Sequence, residues 1–337
     1  MIQLDENNFF VLFACCVPVK GASRSTVCDL QRNSFLYIPN ELYELLAKKE
    51  IQHLKDFEKD TQQEIIDIIS YLEEEEYGFY TDTPSNFPPL DFNLDDYPDP
   101  IKNSIVDIDE NSNHNLSVIS KSLSNLLCSA IELRYFCSLS FERLINDLKE
   151  FEESSIRTIH LLIAYQEEFS FEAIKDLCTQ NKRVKQVVVY SCDFEKVEKI
   201  DLQTLVIFTT EIINDEAHCG VISPYYFQTN VDFFRESLSV NNCLNNKISI
   251  DKKGFIKNCP SLPTSFGHIS TNSLENIITQ KEFQKVWTIK KDEINICKDC
   301  EFRYICMDCR AYTQDKNSNY AKPLKCKYDP YTATWEK

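Results

Sequence analysis

Five short apolar runs recur about every 20–30 residues through the middle of the chain, and this rhythm narrows the fold more than any other feature. They are SIVDID (104–109), AIELRYF (130–136), TIHLLIAY (158–165), QVVVYSC (186–192) and TLVIFTTE (204–211). β-Branched and aromatic residues fill them, and each has the length of a strand. Between them lie helical stretches, LSVISKSLSNLLC, SFERLINDLKEFEE and FSFEAIKDLCTQ. A strand reaches a parallel neighbour only through such a crossover, so the alternation predicts βα units around a parallel sheet. The fold class expected is therefore α/β, with residues 101–212 forming a sheet that is open or closed partway into a (β/α) barrel.

Different material flanks this region. Residues 1–82 read as a small unit of their own. FFVLFACCVPV (9–19), RSTVCDL (24–30) and SFLYIPN (34–40) are three expected strands, and NELYELLAKK (40–49) is a short helix with Asn40 as its candidate N-cap. DTQQEIIDIISYLEEEE (60–76) is a second helix. Thr61 and Glu64 have capping-box spacing, and Ile65, Ile68, Ile69 and Leu72 recur on one face. YGFYTD (77–82) supplies a closing turn and strand. Thr83–Pro100, rich in proline and aspartate, is the expected linker. From about residue 213 the chain becomes loop-rich, and residues 213–337 hold eight of the 15 cysteines. Three strands followed by helices resemble the winged-helix modules that recognise leader peptides in ribosomal-peptide modification systems. An unrelated small α/β unit fits the same pattern.

The net charge of −17 argues against a nucleic-acid partner, which would need a basic face. The charge is uneven. Residues 1–100 carry a net −13 and residues 251–337 a net +4, a basic setting suited to clustered thiolates. No stretch approaches the ~20 apolar residues of a membrane span. Asp5 and Glu6 precede the apolar run at Phe9, with no Lys or Arg, which is the opposite of a signal-peptide start. The expectation is a cytoplasmic protein, where thiols stay reduced and clustered cysteines bind metal.

The cysteines are clustered. Cys297-x2-Cys300-x5-Cys306-x2-Cys309 is followed by Cys326 and preceded by Cys243-x10-Gly254-x4-Cys259. ISIDKKGFIKNCPS (248–261) reads as a hairpin that turns at Gly254 and delivers Cys259. This arrangement resembles the SPASM domain, the auxiliary-cluster domain of many radical SAM peptide-modifying enzymes. One departure is visible, because the run there usually ends in x3-Cys and Cys309 follows after x2. The words FACCVPVKG, HCGVIS and CEFRYICMDCRAY further resemble the SPASM maturases of grasp-with-spasm systems, which work beside an ATP-grasp peptide ligase and a precursor peptide.

The resemblance implies two thiolate sets. Cys297, Cys300, Cys306 and Cys326 would form one, and Cys243, Cys259 and Cys309 the other, with Cys219 or His218 as a further ligand. Two [4Fe–4S] clusters are the cofactors implied; structural zinc serves four-cysteine sets equally well. Cys15, Cys16, Cys28, Cys128, Cys137, Cys178 and Cys192 sit in apolar runs and read as core residues.

A complete radical SAM enzyme would carry Cys-x3-Cys-x2-Cys after its first barrel strand. That motif occurs nowhere in the chain, and SIVDIDENSNHNLSV (104–118) has no cysteine. None of the five glycines lies between Gly78 and Gly220, where a nucleotide-type cofactor would need close backbone approach. The central region therefore reads as a degenerate radical-SAM-like scaffold that does not use SAM. His160 reads as a core histidine and His114 as a loop residue; Glu73–Glu76 is a solvated helix end or meets a basic leader. Three functions follow. The first is an accessory maturation factor that binds the leader of a precursor peptide and works with an ATP-grasp ligase. The second is a redox maturase with an open cluster site. The third is a zinc-stabilised interaction module.

Overall fold

The computed structural model of the chain describes residues 9–48, 58–93 and 99–336. They divide into two compact units. The first gathers Met1–Asp95, Val221–Asn242 and Ile289–Lys337, and the second Asp96–Gly220 and Cys243–Thr288.

The first unit opens with β1 (Phe9–Leu12), β2 (Cys16–Val19), β3 (Ser25–Asp29) and β4 (Ser34–Ile38), then α1 (Asn40–Lys48), α2 (Lys59–Glu74) and β5 (Gly78–Thr81). The apolar run 9–19 is two strands, because the Cys16 amide turns back onto the Phe13 carbonyl at 2.8 Å. β1 pairs antiparallel with β5, and β2, β3 and β4 form an antiparallel sheet. β3 is buried at every position. Side chains alternate across a strand. Val27 accordingly joins Leu42, Ile65, Ile69 and Leu72 of the two helices, while Cys28 joins Phe302, Ile305 and Tyr328.

Two local expectations are corrected. α2 starts at Lys59 after Glu58, which makes no side-chain cap. Thr61 therefore lies inside the first turn and builds no capping box. Asn40 is drawn away from its helix: its amide donates to the carbonyls of Gly21 and Ala22, and its Oδ1 accepts from the Ser25 hydroxyl. The acidic end of α2 is tolerated because Arg32 donates to the carbonyls of Glu75 and Glu76, a cation where the helix dipole favours one.

The second unit holds β6 (Asn103–Ile108), α3 (Leu116–Asn125), β7 (Ala130–Tyr135), α4 (Phe141–Lys149), β8 (Thr158–Ala164), α5 (Phe171–Gln180), β9 (Val184–Tyr190), β10 (Lys196–Lys199) and β11 (Leu205–Phe208). Asn115, Ser140 and Ser170 cap the three helices, each accepting from the amide three residues on. After α6 (Val231–Ser239), a first-unit helix, come β12 (Lys247–Ile250), β13 (Ile256–Lys257), α7 (Leu274–Ile278) and α8 (Lys281–Gln284). β14 (Tyr328–Asp329) and β15 (Thr334–Trp335) complete the first unit.

The eight-stranded sheet runs β10-β11-β9-β8-β7-β6-β12-β13. Its six inner strands are parallel, and β10 and β13 are antiparallel edges. This is a mixed α/β architecture with a large, mostly parallel sheet. Two features lay beyond the sequence pattern: the polar strand β10, and the insertion of β12 directly beside β6. One face of the sheet is apolar, with Val106, Ile108, Ile131, Leu133, Ile159, Leu161 and Ile248 packed in the same core as the helices. The alternate positions include Asp107, Glu132, Arg134, His160 and Lys247. Among the described residues no helix is long and apolar enough to cross a membrane.

Candidate functional site

The segment Ile289–Lys337 of the first unit carries Cys297, Cys300, Cys306, Cys309 and Cys326. Tight turns set their spacing. The Cys300 amide bonds the Cys297 carbonyl at 3.0 Å, Cys306 bonds Phe302 at 3.0 Å, and Cys326 bonds Pro323 at 3.1 Å. Cys306 and Cys326 lie close enough to act on the ionisation of Cys297, and Cys297 and Cys306 on that of Cys300. Burial pushes the Cys297 thiol up to about 12; Lys291 opposes this, and Asp308, Cys306 and Cys326 add to it.

Lys291 partly offsets the burial that holds Cys297 and Cys306 protonated. It is 3% exposed, and its Nζ donates to Cys306 Sγ at 3.3 Å and to the Met307 carbonyl at 3.2 Å. Burial works to lower this ammonium, yet Cys306, Cys297 and Asp308 hold it above its ordinary value. A permanent buried cation among four thiols is the compensation that thiolate ligands require. The loop is fixed from behind. Asn241 donates to Asp308 Oδ2 at 2.7 Å, and Asn242 donates to the Cys306 carbonyl at 3.0 Å while accepting from the Asp308 amide at 2.9 Å.

The same loop is tied to the sheet of β2–β4. Glu301 is fully buried; its Oε1 accepts from Arg24 Nε at 2.9 Å and from the Tyr328 hydroxyl. Its carbonyl accepts from Thr26 Oγ1 at 3.1 Å, and the Asp299 carbonyl accepts from the Ala22 amide at 2.8 Å. Sequence reasoning had no means of pairing residues this far apart.

In the second unit the hairpin forms as its glycine implies. Gly254 has φ +85°, and a Cβ there would run into the His268 ring. Cys243 precedes β12 and Cys259 follows β13. Lys247 Nζ donates to Cys243 Sγ at 3.7 Å. Cys219 lies in a loop held to the hairpin by the Ser261 hydroxyl on the Glu216 carbonyl (3.3 Å) and by Lys252 on Glu216 (3.6 Å). Burial pushes the Cys219 thiol up to about 12, Arg134 opposing, with Glu132 and Cys259 among the groups that add to it. Burial likewise raises Cys259 to about 11, with Cys243 acting in the same direction. Cys219, Cys243 and Cys259 thus fall in one neighbourhood.

Asp107 and Arg134 complete that neighbourhood. They face each other in the β6–β7 register, both shielded from solvent. Arg134 Nε donates to Asp107 Oδ1 at 2.6 Å, Nη2 to Oδ2 at 2.9 Å, and Nη1 to Cys219 Sγ at 2.9 Å. Burial pushes the Asp107 carboxyl up to about 6, and the Arg134 guanidinium beside it pulls the other way. Opposite charges inside two neighbouring apolar runs were the signal that could have disclosed this pair. His218 Nδ1 bonds the Asp215 carbonyl at 2.8 Å, which makes Nδ1 the protonated nitrogen; Nε2 stands 3.4 Å from Cys219 Sγ. His160 is half-buried, and burial lowers it below its ordinary value.

Among the described residues, the one group of three metal-donor atoms within 4.8 Å of one another is Cys15, Cys16 and Asp29. Asp29 is already committed there to Arg32 and to the amides of Gln31 and Arg32.

Comparison with known proteins adds the following. The chain is similar in structure to Streptococcus suis SuiB bound to S-adenosylmethionine, at 12% identity and TM-score 0.30, over 90% of this chain and 96% of that one. It is similar to SuiB bound to the precursor peptide SuiA, at 10% identity and TM-score 0.29, over 92% and 96%. A third structure, SuiB, matches at 12% identity and TM-score 0.27 over 92% and 96%. No curated protein matches by sequence. Residues 242–301 match the SPASM family, an iron–sulfur cluster-binding domain, and this stretch contains Cys243, Gly254, Cys259, Cys297 and Cys300.

Proposed function

We propose that the chain is a maturation factor for a ribosomally synthesised, post-translationally modified peptide. It binds the precursor through its N-terminal unit, holds auxiliary iron–sulfur clusters, and acts beside an ATP-grasp peptide ligase in the cytoplasm without radical SAM chemistry. The observation that carries this reading is the set Cys297, Cys300, Cys306 and Cys326 around buried Lys291, in the same compact unit as the β2–β4 sheet. Thiolates fit iron, and when bound the cluster would supply electron storage or a structural staple. A zinc ion bonds thiolates at about 2.3 Å and so draws four of them to within roughly 3.8 Å of one another.

The peptide-binding part of the reading rests on the two outer strands of the β2–β4 sheet. β2 and β4 are the outer strands of their sheet, and Tyr37 on β4 is 46% exposed. An extended peptide adds to such an edge through main-chain hydrogen bonds. The lack of Cys-x3-Cys-x2-Cys supports placing the covalent chemistry on the partner.

Two measurements on full-length protein purified without oxygen test this. Iron and sulfide in stoichiometric amounts, with little zinc, are expected; stoichiometric zinc without visible absorbance overturns the cluster reading. Hydrogen exchange with and without precursor peptide should show protection confined to residues 9–81. Unchanged exchange there removes the leader-recognition role.

A further inference from the structure

The eight-stranded sheet ends differently at its two edges. At β13, Ile256 donates to the Gly267 carbonyl and accepts from the Phe266 amide, each at 2.9 Å, so the chain covers that edge itself. At the other end, among the described residues no strand pairs with the outer side of β10. The Ile200 amide bonds the Thr204 carbonyl at 3.0 Å, in the register that sets Lys199 against Leu205. Hydrogen-bonded and non-bonded pairs alternate along an antiparallel ladder. Lys196 and Glu198 therefore bond β11, and the main-chain N–H and C=O of Val197 and Lys199 point outward. The Val197 side chain is 65% exposed. An edge of this kind invites pairing, and charged side chains limit which strands it accepts.

The charges along this edge are complementary to their own reversal. Glu195-Lys196-Val197-Glu198-Lys199 meets a second copy of itself in the opposite direction across a two-fold axis. With the axis at Val197, Lys196 stands opposite Glu198 of the second copy, and Glu195 opposite its Lys199. Lys196 and Glu198 already share one face, 3.4 Å apart, so each copy presents a ready pair to the other. Glu195 is fixed in place by the Thr210 amide and hydroxyl, both at 2.6 Å. The main chain selects the same register, because Val197 carries the outward groups that bond Val197 of the second copy. An axis at Glu198 or at Lys199 sets like charges against each other, which is unfavourable across strands. A foreign strand meets these five residues without this match. We propose that the outer edge of β10 is a homodimer interface, in which an antiparallel strand pair centred on Val197 joins the large sheets of two copies into one.

The test is sedimentation equilibrium on full-length protein purified without oxygen, over about 1–100 µM. It compares wild type, Lys196→Glu, Glu198→Lys and an equal mixture of the two variants, with folding checked by far-UV circular dichroism. Wild type is expected to pass from monomer to dimer as concentration rises. Each single variant sets like charges opposite each other beside the axis and should weaken the dimer about tenfold or more. The mixture should recover it, because the acidic strand of one variant is complementary to the basic strand of the other. Wild type that stays monomeric at every concentration overturns the proposal, whatever else the edge accepts. A dimer that persists unchanged in both folded variants overturns it too. Monomeric variants that fail to associate in the mixture overturn the Val197-centred register. Hydrogen exchange on wild type gives a readout free of any substitution. The Val197 and Lys199 amides should gain protection as the dimer forms, and unchanged exchange there overturns the assignment.

Discussion

Lys291 donates through Nζ to the Cys306 sulfur at 3.3 Å and belongs to the first unit with all four thiols it serves. Removing that ammonium leaves the thiolates uncompensated in a buried setting. Lys291→Met is expected to lower the midpoint potential of the first-unit cluster and its iron occupancy, with Lys291→Arg affected less. Potentiometry followed by electron paramagnetic resonance checks this; an unchanged potential in Lys291→Met would separate the lysine from the cluster.

Glu301 joins Arg24 and Tyr328 from a fully buried position. Glu301→Ala strands the Tyr328 hydroxyl and the guanidinium. Arg24 keeps 28% exposure and can recover water, so the cost falls below that of a fully buried pair, at about 2–3 kcal/mol. Urea unfolding read at the first unit should show the lower midpoint, and Glu301→Gln should restore part of it.

The hairpin glycine carries a separate expectation. Gly254→Ala must hold φ near +85° and push its methyl group against the His268 ring. The cost expected is about 1–3 kcal/mol. Because Cys259 hangs from this hairpin, iron content should fall in the second unit and not in the first, which metal analysis combined with electron paramagnetic resonance resolves.

Two histidines set a pH dependence. Burial lowers His114, against the hydrogen bond its Nε2 makes to the Asp107 carbonyl, and burial lowers His160, against nearby Glu132. In both the folded value lies below the unfolded one, roughly 6.5. The unfolded chain therefore takes up protons first on acidification, and stability is lost as pH falls below ~6.5 toward the folded values. Urea midpoints at pH 7.5 and 5.5 should differ in that direction, and His114→Gln/His160→Gln should flatten the difference.

Strand and helix identity in the second unit was legible because its period is local: five apolar runs and three capped helices appear where patterning places them. The hairpin could be read from one glycine and two cysteines. What stayed hidden depends on contacts between distant segments. The pairing of β12 with β6 and the Arg24–Glu301 bond leave no mark in any short window. The Asp107–Arg134 pair went unread although both charges stand in apolar strands, and its bond to Cys219 required the fold. The helix start at Lys59 was misplaced because Thr61 and Glu64 have the spacing of a cap but not its position.

The separation of 277 positions between Arg24 and Glu301 also sets an order in time. At ribosomal rates of roughly 5–20 residues per second, the N-terminal sheet waits about 14–55 s before its buried carboxylate exists. During that interval the Thr26 and Cys28 face of β3 is left without its covering loop. The covering loop is the one that bears the four thiols, so the nascent chain can seal this face only when the cysteine-bearing turns are themselves being laid down. With metal bound at those turns as proposed, metal delivery and burial of the N-terminal sheet would become a single late step of biogenesis, and a shortage of the metal would be felt first as a folding defect at the opposite end of the sequence.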